Sequence, residues 1–282
     1  MKGRLWWGTV MALAAGVGVA ADQARDGGRV LKADGGLAIE RGGSAAVTNV
    51  QKGATIVQGD TIRTGRDGKL QWWMQDDSLF LLPHNSAIHI DEYALPKKDD
   101  KASGASFMTL LKGGMRSITG LIAKNNYEHY HITTPVATMG VRGTDFSLML
   151  CHDDCTVRTK TPELRKDKAS LPLFASPRLI KTALEGGIPN GLYLKLEKGS
   201  ASLCNKGGCV DITADPKADT SGGGGAACAA AVSASEKPRV LTKCPKIFTG
   251  FGLDFEFDFD PSDIEILRDL GRILPEPPAS RS

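Results

Sequence analysis

The sequence predicts an all-β fold, either a short-strand β-solenoid or a sandwich-like arrangement, followed by a C-terminal strand and an amphipathic helix. Three observations carry this. Between residue 35 and about residue 146, short β-compatible runs alternate with turn residues every 6 to 12 positions or so. The turns are chemically explicit: Lys52-Gly53, Gly59-Asp60, Gly65-Arg66-Asp67-Gly68, Asp76-Asp77-Ser78 and Pro83-His84-Asn85 favour reversals over helices. Long helical periodicity is absent until the C-terminus.

The elements follow in order. Lys2 and Arg4, an apolar run over residues 5–19 and Ala20-Ala21-Asp22 have the three regions of a secretory signal peptide, with cleavage expected after Ala21. The run is about 15 residues, short of the roughly 20 that a permanent membrane helix needs. A signal peptide over 1–21, a linker over 22–34 and no transmembrane segment after signal removal are therefore expected. Strand runs are expected at residues 45–50, 70–74, 79–82 and 87–93, then a polar surface loop at 96–106 whose charges Lys97 to Lys101 form a solvated face. Runs resume at 107–111, turn at Lys112-Gly113-Gly114 and continue over 115–122. The β domain is set at 35–160.

A β extension with Cys-tipped hairpins is set at 161–213, where Leu192, Leu194 and Leu196 alternate. Residues 214–240 hold Ser221 and four consecutive glycines and read as a low-complexity linker. In the last segment, 241–282, Phe255, Phe257 and Phe259 share one face of a strand and Asp254, Glu256, Asp258 and Asp260 the other. Ser262-Asp263-Ile264-Glu265 forms a capping box opening a helix to about residue 273, before a Pro-rich tail.

The six cysteines, Cys151, Cys155, Cys204, Cys209, Cys228 and Cys244, all lie beyond residue 150. An even number in an exported chain favours disulfides. The first pairing to consider is Cys151 with Cys155, Cys204 with Cys209, and Cys228 with Cys244, although six cysteines allow 15 connectivities and a crossed arrangement of the two tips stays open. A zinc site from Cys151, His152, Cys155, Cys204 and Cys209 is the competing reading, disfavoured where thiols oxidise.

Net charge is +3 with no basic run, so nucleic-acid binding is not indicated. No nucleophile elbow, metalloprotease motif, P-loop or dinucleotide fingerprint is present, and no catalytic residue, cofactor or metal is expected. His129 and His131 share a strand face, yet no third ligand lies nearby. Trp72-Trp73 straddles a strand, so one indole faces outward, where it would stack on a sugar or anchor a protein contact.

The stretch Thr134-Pro135-Val136-Ala137-Thr138-Met139-Gly140-Val141-Arg142-Gly143-Thr144-Asp145-Phe146 resembles the signature of the FecR-like domain, a family of periplasmic β-rich modules. The resemblance covers roughly residues 35 to 150. It includes residues 53–65, where the Gly59-Asp60 turn precedes a strand ending in Thr64-Gly65, and residues 77–86. Gly59, Asp60, Gly65, Pro135, Gly140, Gly143 and Thr144 are the motif positions, the glycines suiting positive φ or close backbone approach. On the bare residues Arg142 and Asp145 read as an intrastrand pair, although three positions apart they project to opposite faces and would then meet other strands.

Familiar members of that family join a cytoplasmic anti-sigma-factor segment, a membrane helix and a periplasmic domain that receives a signal. Only four residues precede the apolar run here, so the resemblance implies the periplasmic module alone. It implies a non-enzymatic periplasmic or secreted protein-interaction, signalling or scaffold module whose partner is an envelope protein or cell-wall component. Arg142, Asp145, Trp72 and Trp73 are the candidate binding residues. The alternative class is a carbohydrate or cell-wall binding module acting through an exposed tryptophan.

Overall fold

The computed structural model describes residues 27–44, 46–152, 155, 188–214, 226–250 and 253. The expected signal peptide, most of the glycine-rich stretch, and the C-terminal strand and helix lie outside the described residues.

Among the described residues fourteen strands form one sheet, in keeping with the alternation of short runs and turns. They are β1 (Gly27–Asp34), β2 (Leu37–Arg41), β3 (Thr55–Val57), β4 (Asp60–Thr64), β5 (Lys69–Met74), β6 (Leu79–Leu82), β7 (Ala87–Ala94), β8 (Ala105–Ile118), β9 (Tyr130–Thr133), β10 (Thr138–Cys151), β11 (Gly191–Asn205), β12 (Gly208–Thr213), β13 (Ala227–Ala231) and β14 (Arg239–Leu241). Among the described residues two short helices, α1 (Leu121–Asn125) and α2 (Ile247–Gly250), accompany them. Among the described residues every strand pair is antiparallel except β8 with β9, whose crossover runs through α1.

The sheet folds over on itself because three long strands change layer midway. The second half of β8 pairs with β6 and β10, whereas its first half pairs with β7 and β9. Likewise β10 begins beside β9 and ends beside β8, and β11 runs from β13 to β12. One layer is thus β3-β1-β5-β6-β8-β10-β11-β13-β14, and the other is β2-β4-β7-β8-β9-β10-β11-β12, with β8, β10 and β11 shared. The main core lies between the layers, from Val30, Ile56 and Trp72 to Leu148, Leu194 and Leu203. A smaller core forms on the outside of the first layer, where Met149, Cys151, Tyr193 and Cys228 meet Ile247, Phe248 and Leu253. The architecture is therefore sandwich-like rather than a solenoid.

The bend in β10 is a bulge. Arg142 pairs with Ser200 and Asp145 with Lys198, so Gly143 and Thr144 oppose the single residue Gly199. Gly143 has φ +58° and Gly199 φ +83°, values that side chains other than glycine's adopt at a cost. A Cβ on Gly199 would also lie 2.5 Å from the Gly143 carbonyl oxygen and 2.8 Å from Thr144 Cγ2. Thr119 clamps the bulge: its Oγ1 accepts from the Thr144 amide at 2.8 Å, and its own amide donates to the Thr144 carbonyl at 2.9 Å.

Several expectations need correction. Residues 27–34 are not a linker but β1, hydrogen-bonded to β3 and β5 with Val30 fully buried. Lys112-Gly113-Gly114 does not reverse the chain; it is the bend within a continuous β8, and the strand stops at Ile118, where α1 follows. The strands at 191–213 are no separate extension, since β11 lies beside β10 along its whole length. Within the segment read as a linker, Ala227 to Ala231 form β13 on β11, the alanines being small enough to lie between layers.

The disulfides take the first of the pairings considered: Cys151–Cys155, Cys204–Cys209 and Cys228–Cys244. Cys204 and Cys209 are cross-strand neighbours on the β11–β12 hairpin with Cα atoms 4.1 Å apart. Because all six sulfurs are paired, the thiolates needed for a zinc site do not exist. No helix among the described residues is long and apolar enough to cross a membrane.

Candidate functional site

The outer face of the second layer carries a depression with a volume of about 460 Å³, within the usual range for ligand sites. Strand alternation explains its lining. On β10, Met139 and Val141 point into the core, so Thr138, Gly140 and Arg142 face out. On β11, Ala201 and Leu203 point in, leaving Ser200, Ser202 and Cys204 outside.

Register places these side chains in rows across the strands. Arg142, Ser200 and Thr213 form one row. His131, Gly140, Ser202 and Asp211 form the next, and Thr138, Cys204 and Cys209 a third. The middle row is a trough, because Gly140 and Ser202 offer almost no side-chain height while His131 and Asp211 rise at its ends. A Cβ on Gly140 would meet the His131 ring at 3.5 Å, an ordinary contact, and its φ is not positive. Its lack of a side chain therefore serves the shape of the surface rather than the backbone, contrary to the sequence reading.

Arg142 is exposed at the rim, its guanidinium 5.5 Å from the centre of the Tyr127 ring. The contact holds the charge over the trough's edge without neutralising it. Tyr127 and Glu128 come from the 3-10 turn between α1 and β9, which Asn126 caps by accepting the Glu128 amide at 3.1 Å. His131 stacks on Phe107 with ring centres 5.5 Å apart, and burial with nearby His129 holds its pKa below the ordinary histidine value. His129 Nδ1 donates to Gly104 O, 3.1 Å away, and the ring packs edge-on to Phe107. Neither imidazole belongs to a group of three or more metal-ligating side chains among the described residues.

The other sequence candidates lie elsewhere. Asp145 is not paired with Arg142. Beyond the bulge it points out of the first layer, where Arg116 grips it through Nε at 3.0 Å and Nη2 at 2.9 Å with both side chains mostly buried. The same guanidinium donates to the Leu253 carbonyl at 3.4 Å, so this pair is a structural tie. Trp72 is fully buried and stacked on Phe80, centroids 4.9 Å apart. Trp73 is 5% exposed, packed with Leu31 and Leu79 on the opposite face. Neither indole faces solvent, because both faces of β5 are covered, and the expectation of an outward tryptophan is overturned.

The motif residues are mostly turn fixtures. Gly59 (φ +85°) turns the chain into Asp60, whose buried carboxylate accepts from Arg41 at 2.7 and 2.8 Å and from the Val57 amide at 2.9 Å. Gly65 allows the backbone at Gly36 close, its amide donating to Gly36 O at 2.7 Å. Pro135 sits in the β9–β10 reversal, where Thr134 Oγ1 donates to Ala137 O at 2.8 Å.

A buried polar hub lies between the β5–β6 turn and α1. Asp76 accepts from Ser78 Oγ (2.8 Å) and Tyr93 Oη (3.1 Å), and burial pushes its pKa above the ordinary carboxylate value against those hydrogen bonds. Tyr130 is wholly buried against Ser117, and burial, with the Asp76 charge, raises its phenol well above the usual range. The hub fixes the β5–β6 turn to the start of α1 through the Leu121 amide, 2.6 Å from Asp76 O.

Of the residues singled out from the sequence, Arg142, the motif glycine Gly140, His131 and Cys204 reach the depression. Tyr127, Ser200, Ser202 and Asp211 were not anticipated. The alternation of Ser200 and Ser202 with apolar neighbours was visible, but which strands they lie between was not.

Residues 60–162, less than half of the chain, match the family model described as FecR protein. No curated protein matches the chain. The chain therefore carries a FecR domain, and the match, the all-β sheet and the three disulfides are consistent with an envelope or extracytoplasmic protein concerned with signalling.

Proposed function

We propose that this FecR-domain chain is an exported, non-enzymatic interaction module that binds a protein partner of the cell envelope through the outer face of its second layer. The observation that carries this is the trough itself. Small residues from β10 and β11 floor it, and Arg142 stands at its rim with its charge not neutralised by any carboxylate among the described residues. A surface of that kind offers contact and hydrogen bonding; its groups are not arranged as a nucleophile with a base, which favours recognition over turnover. The disulfides support an oxidising compartment, and the apolar stretch at 5–19 supports export to it.

The carbohydrate reading rested on an outward tryptophan and loses that support, so the protein-partner reading is retained.

Site-specific photo-crosslinking in intact cells tests the proposal. A photoreactive residue at Ser202 should capture a defined envelope protein, identified by mass spectrometry, and one at Arg66 in the β4–β5 turn, separated from β10 by β7, β8 and β9 in the second layer, should not. Equal capture from both positions, or capture from Arg66 alone, would remove this face as the contact.

A further inference from the structure

We infer that the trough takes an extended peptide segment of the partner and that a carboxylate on that segment pairs with Arg142. The inference deepens the proposed function and rests on it for the choice of face.

The dimensions come first. The trough crosses four strands from His131 to Asp211, three interstrand spacings, or about 14 Å. That is the length of roughly four extended residues at about 3.4 Å each. Its floor, Gly140 and Ser202, admits a backbone lying nearly on the sheet, and the serine hydroxyls can donate to or accept from peptide groups.

Charge then selects the ligand. Arg142 is exposed, and its one described side-chain contact is the Tyr127 ring, so the guanidinium keeps its hydrogen-bond donors for a ligand. A guanidinium already stacked on a ring loses little further freedom on meeting a carboxylate, which it can bind with two parallel hydrogen bonds. Glu128 and Asp211 also border the depression, and their charges oppose a ligand of many negative charges. A nucleic acid or polyphosphate is disfavoured, whereas a peptide with one acidic group beside Arg142 fits. Trp72 and Trp73 offer a sugar nothing to stack upon, both being buried, and one face of Tyr127 is taken by Arg142.

The experiment selects a displayed pool of random nonapeptides on the full chain, then measures one synthetic, fluorescein-labelled selected peptide by fluorescence anisotropy. Selected peptides should share an Asp or Glu. Replacing that residue by its amide, or Arg142 by Leu in the protein, should each weaken binding about tenfold or more, with no further loss when both are changed. Gly140→Val keeps an extended backbone and fills the floor, so it should abolish binding while leaving the unfolding curve in place. Failure to enrich any peptide, enrichment without an acidic position, or unchanged binding to Arg142→Leu would each overturn the inference. Capture from Ser202 in cells alongside any of those results would leave the proposed function standing and remove only the carboxylate; loss of capture from Ser202 would remove the face as well.

Discussion

Gly143 and Gly199 face each other across the bulge that turns β10 from one layer to the other, and they should respond very differently to alanine. Both have positive φ, +58° and +83°, so each substitution carries a conformational cost of about 1–2 kcal/mol. At Gly143 the added Cβ finds open space, its nearest neighbour being Lys124 Cγ at 4.0 Å. At Gly199 it would press on the Gly143 carbonyl oxygen at 2.5 Å, Thr144 Cγ2 at 2.8 Å and the Arg142 carbonyl oxygen at 3.0 Å. Two of those three are backbone atoms held in the sheet, so overpacking adds about 1–3 kcal/mol more. Gly143→Ala should therefore lose about 1–2 kcal/mol and Gly199→Ala about 2–5 kcal/mol. Guanidinium unfolding of the oxidised protein, followed by tryptophan fluorescence, reads both as shifts of the midpoint at constant slope. Equal losses, or a larger loss at Gly143, would mean that the two glycines do not oppose each other as described. The account of how one sheet becomes two layers would then fail.

Three further outcomes are expected. Thr144 Oγ1 is buried with no hydrogen-bond partner, so Thr144→Val should leave stability unchanged or raise it by up to about 1 kcal/mol in the same titration; a loss above that would show the hydroxyl to be satisfied. Asp60→Ala strips the buried Val57 amide of its acceptor and Arg41 of its carboxylate, and should cost about 2–4 kcal/mol, read as a lowered midpoint, whereas a neutral result would show the turn to be held otherwise. The pKa of Asp76 is raised above 3.8 by burial, so the native state holds that proton longer than the unfolded chain and binds more protons between the two values. Its contribution to stability must fall as pH rises from 3.8 through the native value, and Asp76→Asn should flatten that part of the stability profile; identical slopes for the two proteins would contradict it.

How much was legible follows from which interactions are local. The Gly59-Asp60 reversal, the β11–β12 hairpin and the three disulfides rest on residues at most 16 apart; turn chemistry announced the reversals, and cysteine spacing put the observed pairing first among 15 without excluding a crossed one. The motif also announced itself, though its residues proved chiefly to be turn and bend fixtures. Period-two alternation indicated that Arg142 and Asp145 lie on different faces, and the bulge makes this a separation between two layers.

What the sequence by itself determined was the all-β class, most of the turns and the placing of Arg142 and Asp145 on different faces, because each depends on backbone preference or on neighbours along the chain. Tertiary structure alone decided that Lys112-Gly113-Gly114 bends a strand instead of ending it, that residues 27–34 are inside the sheet, that both Trp72 and Trp73 are covered, and that Tyr127, Ser202 and Asp211 gather around Arg142. A strand's partner and register are fixed by packing among segments far apart in the chain, and period-two patterning names two faces without saying which becomes buried.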